Sequence, residues 1–263
     1  KLIIKNDKFN KLVLTKFNSQ KIRLNIENQI SYDSKIQQGL MKILFVNKTT
    51  SLNYKLNENS INFSTEGQKN QYNGFIEFKP FYLKANFDYD GISTKSWFNE
   101  NSVLYNLIKS ELFNNENLNI NLNLKVKDIV NINELNNLFL NLVIESGDIS
   151  FSDSNIMWKD DLKIYLSESL LNIDQNEIYL IGKIVIDIKD ISDFYKSFQI
   201  KKNYRKKIKE IQFDFNYNFT QQKISFNNFE IDNKPSLNVE NFVEKFNLNE
   251  KFFNKITFKN FVN

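Results

Sequence analysis

The sequence predicts a mainly β protein: an elongated, curved antiparallel sheet forming an apolar groove, accompanied by about three amphipathic helices. Three observations carry this reading. From Asn117 to Val126 apolar and polar residues alternate almost without a break. Successive side chains of a strand point to opposite faces, so this spelling makes one greasy face and one wet face. The same alternation recurs along most of the chain, and helical spacing is confined to a few segments.

In chain order, the period-two segments begin with Ile22–Ile26, Leu52–Leu56 and Ile61–Phe63. A longer stretch, Phe75–Tyr89, places Phe81, Leu83, Ala85, Phe87 and Tyr89 on one face. After residues 118–126 come Ile149/Phe151, then Leu162, Ile164 and Leu166, then the alternate positions from Ile178 to Ile188. Ile211, Phe213, Phe215, Tyr217 and Phe219, followed by Ile224 and Phe226, close the series. These runs favour the β-branched and aromatic residues of strands. Most gaps are too short for parallel crossovers, so the expected pairing is antiparallel.

With 6 Gly and 2 Pro in 263 residues, Asn, Asp and Ser must serve most turns. Asp90-Gly91 and Ser146-Gly147-Asp148 are the best turn signals, and Pro80 suggests an edge or a bulge. Helical stripes join Trp97, Leu104, Leu107, Ile108 and Leu112, with Ser93, Thr94 or Ser96 as caps. A second stripe is Ile191, Phe194, Tyr195 and Phe198. A third is Val239, Phe242, Val243 and Phe246, extended by Phe252, Phe253 and Ile256. Asp88–Ser93 and Asp187–Ser192 are a faint internal repeat, each closing a ribbon and opening a helix. No composition break divides the chain, so residues 1–263 are expected to form a single unit.

Composition narrows the chemistry. Cys is 0 and His is 0, which removes disulfides, thiolate metal sites, the cysteine nucleophile and the commonest general base. There is no dinucleotide or phosphate-binding glycine loop and no Gly-x-Ser-x-Gly elbow. The pairs Asp160-Asp161 and Asp187/Asp190 read as solvated acids. The expectation is a non-enzymatic protein without cofactor or metal. A net charge of +4, from Lys+Arg 35 against Asp+Glu 31, lacks the concentrated basic face of a nucleic-acid binder. The abundant Asn, Lys, Ile and Phe all have AT-rich codons, so Asn is given no functional weight. Leu135–Ile144 is apolar but interrupted by Asn, and far short of the roughly 20 residues of a membrane helix.

Two groups of residues emerge as site candidates. The apolar-face residues Phe81, Leu83, Phe87, Leu118, Ile120, Leu122, Leu124, Ile164, Leu180, Ile184, Ile186, Phe213, Phe215 and Tyr217 either line a groove for acyl chains or form an ordinary core. Lys201, Lys202, Arg205 and Lys206 either contact lipid head groups or belong to a solvated link. Tyr204 alone gives no stacking platform for single strands. A structural or adhesive β-sandwich binding a protein or glycan would also alternate, with its sheets about 10 Å apart. So would an outer-membrane barrel, which the helical stripes and the basic link fit poorly.

Three stretches carry a resemblance. Gly74–Lys84, centred on Lys79-Pro80-Phe81, resembles the ribbon, Lys-Pro-Phe, ribbon segments of AsmA-like proteins. Glu145–Ser154 followed by Leu162–Leu166 is similar to another such segment, and Phe194–Tyr217 to the C-terminal end of the region. The likeness covers roughly residues 60–235. It implies a Gram-negative envelope protein, anchored in the inner membrane by an N-terminal helix and projecting a β-groove into the periplasm. It also implies a role in moving phospholipid between inner and outer membranes, with acyl chains and other envelope proteins as partners. The chain opens at Lys1 and reads as a piece of such a protein, with the anchor outside it.

Overall fold

The computed structural model describes residues 2–6, 10–18, 23–31, 37–45, 48–65, 71–92, 113, 115–130, 132–174, 177–221, 223–237, 239, 240 and 243. Most of them lie in strands. The N-terminal strands are β1 (Leu2–Asn6), β2 (Asn10–Asn18), β3 (Arg23–Ser31), β4 (Gln37–Phe45), β5 (Lys48–Leu56), β6 (Ser60–Ser64), β7 (Gln71–Phe78) and β8 (Phe81–Ile92). Next come β9 (Asn119–Ile129), β10 (Leu135–Glu145), β11 (Asp148–Ser150), β12 (Asn155–Trp158), β13 (Leu162–Asp174) and β14 (Glu177–Ile188). Helix α1 (Ser192–Ser197) precedes β15 (Glu210–Asn218), β16 (Lys223–Ile231) and β17 (Lys234–Pro235).

The strands are hydrogen-bonded in chain order as one continuous sheet. Each neighbouring pair from β1 to β8 is antiparallel. β8 and β9 run parallel, which corrects the all-antiparallel expectation. The 26 residues between them, 93–118, are long enough for the crossover that parallel pairing demands. β10 is flanked on one side by β9 and on the other by the short strands β11 and β12 in succession, both of which pair with β13. From β13 to β17 the order is antiparallel again. The described strands thus make one mixed sheet, and among the described residues no pairing joins β17 back to β1.

Several local expectations change. Pro80 marks neither edge nor bulge. The cis Lys79–Pro80 peptide is the hairpin turn between β7 and β8, and it divides the single stretch expected over Phe75–Tyr89. Asp90-Gly91 is no turn either, because both residues lie within β8 and Gly91 is in register with Asp128. Ser146-Gly147 does turn the chain, with φ of 53° and 88° matching the primed turn that suits twisted strands. Of the helical stripes, the second is realised as α1, shorter than expected. Residues 97–112 lie outside the described residues, as do most of the positions after Val239, which is itself helical.

An open sheet rarely exceeds about ten strands without curling or splitting. Here the ladder bends through register shifts at Asn136/Phe139, Ser167/Leu170 and Gln212/Asp214. Beside these shifts Asn137, Glu168 and Asn228 have φ of 49°, 51° and 53°, as bulged residues do. Gly182 faces the second shift, where a Cβ would stand 2.7 Å from Ser169 Cα. The corner Phe151–Ser154 is bound to the same bulge: Ser169 Oγ accepts from Phe151 N at 3.2 Å and Ser152 Oγ accepts from Ser169 N at 3.0 Å. Ser154 Oγ accepts from Asn141 N at 2.9 Å. These hydroxyls, those of Ser154 and Ser169 buried and that of Ser152 half-buried, satisfy the backbone where β10 passes from one short partner to the other.

Few of the described residues are fully buried. The best-buried cluster, Ile120, Ile144, Ile149, Phe151, Leu171, Ile178 and Phe219, sits at one end of β9–β15, with Phe113 packed against it.

Candidate functional site

Register turns the alternation into a surface. Starting at Leu56 in β5, direct cross-strand partners run Ile61, Ile76, Leu83, Ile120, Ile144, Ile149, Leu171, Leu180, Tyr217 and Ile224. These eleven residues form a row without a polar member from β5 to β16. At about 4.8 Å per strand the row is roughly 50 Å long. A parallel row links Tyr54, Phe63, Gly74, Ala85, Leu122 and Leu142.

The expected lining residues fall on this face with one exception. Phe81, Leu83 and Phe87 stand in β8 and Ile120, Leu122 and Leu124 in β9. Ile164 is in register with Ile186, Ile184 with Phe213, Leu180 with Tyr217, and Gly182 with Phe215. Leu118 is the exception. It precedes β9, and its N–H donates to Asn115 O at 2.9 Å instead of entering the ladder. The expected residues divide by burial: Ile120 and Phe215 are buried, while Leu122, Leu124, Ile164, Ile184 and Ile186 are half-buried. The latter keep part of their apolar surface open to whatever meets the face. Sequence reading missed Leu138, Leu140 and Leu142 of β10, which register with Val126, Leu124 and Leu122 and continue the face.

Helix α1 closes one end of it. Trp158 is paired with Leu162, and Leu162 with Ile188, at the end of the face away from the buried cluster. Phe194 meets Trp158 edge-on at 5.8 Å, and Lys159 Nζ lies 4.8 Å from the centre of that indole. The chain after α1 folds back on it: Tyr195 Oη accepts from Lys206 N at 3.0 Å, and Arg205 Nε donates to Ile200 O at 2.8 Å. Lys201, Lys202, Arg205 and Lys206 are all exposed. They make a basic rim beside the apolar end.

On the opposite face a polar line crosses β5–β10. Asn53, Ser64, Asn73, Asn86, Asn123 and Asn141 are successive cross-strand partners. Asn86 Nδ2 donates to Asn73 Oδ1 at 2.9 Å and Asn123 Nδ2 to Asn86 Oδ1 at 3.1 Å. A cavity of about 900 Å³ opens over this row and another of about 520 Å³ lies beside Asp88, Asp90, Lys125 and Lys127. A twisted sheet is saddle-shaped, so each face is concave along one diagonal.

Acid groups fasten the connections. The carboxylate of Glu177 is held below its usual range by the Tyr179 hydroxyl first, then by the amides of Gln221 and Asn218. The N–H groups of Lys209 and Glu210 do the same for Asp232, and the Ser192 hydroxyl and N–H for Asp190. A folded-state pKa below the unfolded one gives stability that is complete above the unfolded value, near 4, and disappears as pH falls through the folded value. Urea midpoints are therefore expected to be level from neutral pH to about pH 5 and to drop below about pH 4. Glu177→Gln should remove its own share of that acid slope, which denaturation at the two pH values will measure.

Among the described residues no group of acids is placed to hold a metal ion, and no helix is long and apolar enough to cross a membrane. No family model, curated protein or solved structure matches the chain.

Proposed function

We propose that the apolar face of this sheet carries lipid acyl chains, as a non-enzymatic module of an envelope protein that moves phospholipid between inner and outer membranes. The row of eleven apolar residues from Leu56 to Ile224 carries the reading. Sheltering a methylene from water contributes about 0.8 kcal/mol, so a 16-carbon tail gains on the order of 10 kcal/mol. Four members of the row, Ile120, Ile144, Ile149 and Leu171, are buried in the cluster, so in this reading the tail lies along the half-buried positions beside them, Leu122, Leu124, Leu140, Ile164, Ile184 and Ile186. In this reading the three bulges curve the face into a groove, and the exposed Lys201, Lys202, Arg205 and Lys206 would meet phosphate head groups. In this proposal the module belongs to the periplasm, reaches the membrane through an anchor outside these residues, and works with other envelope proteins. The resemblance to AsmA-like proteins supports the same assignment.

Photo-crosslinking amino acids placed one at a time at Leu124, Leu140 and Ile184 are expected to capture phospholipid. The same groups at Lys125 and Lys127, on the opposite face, should capture none. Mass spectrometry of the adducts decides the matter; equal labelling of both faces, or none at all, defeats the proposal.

A further inference from the structure

We infer that the polar trough across β4–β8 binds a linear acidic oligosaccharide, a site separate from the apolar face and independent of the lipid reading. Cross-strand register sets the amides of Asn53, Asn73 and Asn86 on one line, with Ser64 between the first two. Strand spacing repeats this line every 4.8 Å or so. Each carboxamide has two donors and an acceptor oxygen with two lone pairs. The bond from Asn86 to Asn73 uses one donor of the first and one lone pair of the second, so both amides retain capacity toward the trough. A second line runs Lys55, Asn62, Phe75, Lys84. The phenyl ring of Phe75 is held by Tyr82 at 5.5 Å.

The cavity of about 900 Å³ is of ligand size and has Lys55 and Lys84, but no carboxylate, among its lining residues, with Leu40, Tyr54, Phe63 and Phe75 as its apolar part. No described carboxylate lies within ion-pair distance of Lys55 or Lys84. The occupant therefore brings the negative charge. Three strand steps separate the two lysines, roughly 14 Å, so the charges must recur along an extended molecule. Repeated hydroxyls for the amide line, a flat apolar sugar face for Phe75 and carboxylates for the lysines describe a polyuronate. A peptide strand is disfavoured because β5–β8 are paired on both sides and offer no open edge. Two lysines and a single ring are too little for a nucleic-acid strand.

Titration of the whole chain with a galacturonate hexamer, followed by calorimetry, tests the site. Saturable binding is expected, weakened by about tenfold or more in K55Q/K84Q, restored in K55R/K84R and weakened in Asn73→Leu. Cellohexaose, neutral and of like length, should bind about tenfold more weakly or not at all. Circular dichroism of each variant matching the parent, with lipid capture at Leu124 unchanged, keeps the result distinct from misfolding and from the fate of the lipid proposal. Absence of saturable hexamer binding overturns the inference. So does unchanged affinity in K55Q/K84Q, cellohexaose binding as tight as galacturonate, or displacement of the hexamer by anionic vesicles.

Discussion

Ile178→Ala is expected to lower the unfolding free energy by about 2–5 kcal/mol, the range for truncating a large aliphatic side chain in a packed site. Ile178 is 1% exposed and belongs to the cluster that includes Ile144, Leu171 and Phe219. Its position explains why the loss should reach that range. The residue opens β14 opposite Ile173, and its carbonyl accepts from Phe219 N at 2.9 Å. One side chain thus packs the β13–β14 hairpin against the end of β15. Little can collapse into the void, because Ile144 and Leu171 are each held by a ladder on both sides. Urea unfolding followed by circular dichroism should show a lower midpoint at an unchanged slope. Leu140→Ala, on the same face but half-buried, should cost distinctly less. A loss at Ile178 no greater than that at Leu140 would remove the distinction between cluster and open face.

That distinction was only partly legible in the sequence. Alternation identified part of β3, β5 to β9, β11 and β13 to β16, with the parity of their apolar residues, because a side-chain period of two survives any register. It did not identify β10. There Leu138, Phe139, Leu140, Leu142, Val143 and Ile144 crowd apolar residues onto both faces, and the run reads as a plain hydrophobic stretch. The turn at Lys79-Pro80 did leave a trace: apolar-face residues are even-numbered in Tyr72, Gly74 and Ile76 and odd-numbered in Phe81, Leu83 and Ala85. The parallel match of β8 to β9 left none, since it is fixed by the crossover and not by either strand's own pattern.

Asparagine shows the limit most sharply. Codon bias is a sufficient reason for its abundance, and nothing in the order of residues separates Asn73 from any other. Pairing is what places Asn73 beside Asn86 and Asn86 beside Asn123. A shift of one residue in either register would send these amides to the other face and the apolar row with them. The two rows are therefore specified by the same ladder, on opposite sides of it.

Because the apolar row is specified by that ladder, its chemistry can be changed without removing the ladder. The double substitution Leu124→Asp/Ile184→Asp is expected to abolish lipid capture while leaving the sheet assembled. Both side chains are half-buried and lie outside the best-buried cluster, so an added carboxylate can remain hydrated in the lipid-free protein. It cannot remain so under an acyl chain. Covering an unpaired charge costs several kcal/mol, and a loss of only about 2.7 kcal/mol lowers affinity about a hundredfold. Lys125→Asp, which changes charge by more than either single substitution but on the polar face, should bind lipid like the parent. Binding of a fluorescent phospholipid to the three proteins, with circular dichroism as the check on folding, separates the outcomes. If the double variant binds as the parent does, acyl chains do not travel on this face. If it loses lipid while Lys125→Asp keeps it, then the side of the sheet, and not the charge of the protein, decides where hydrocarbon goes.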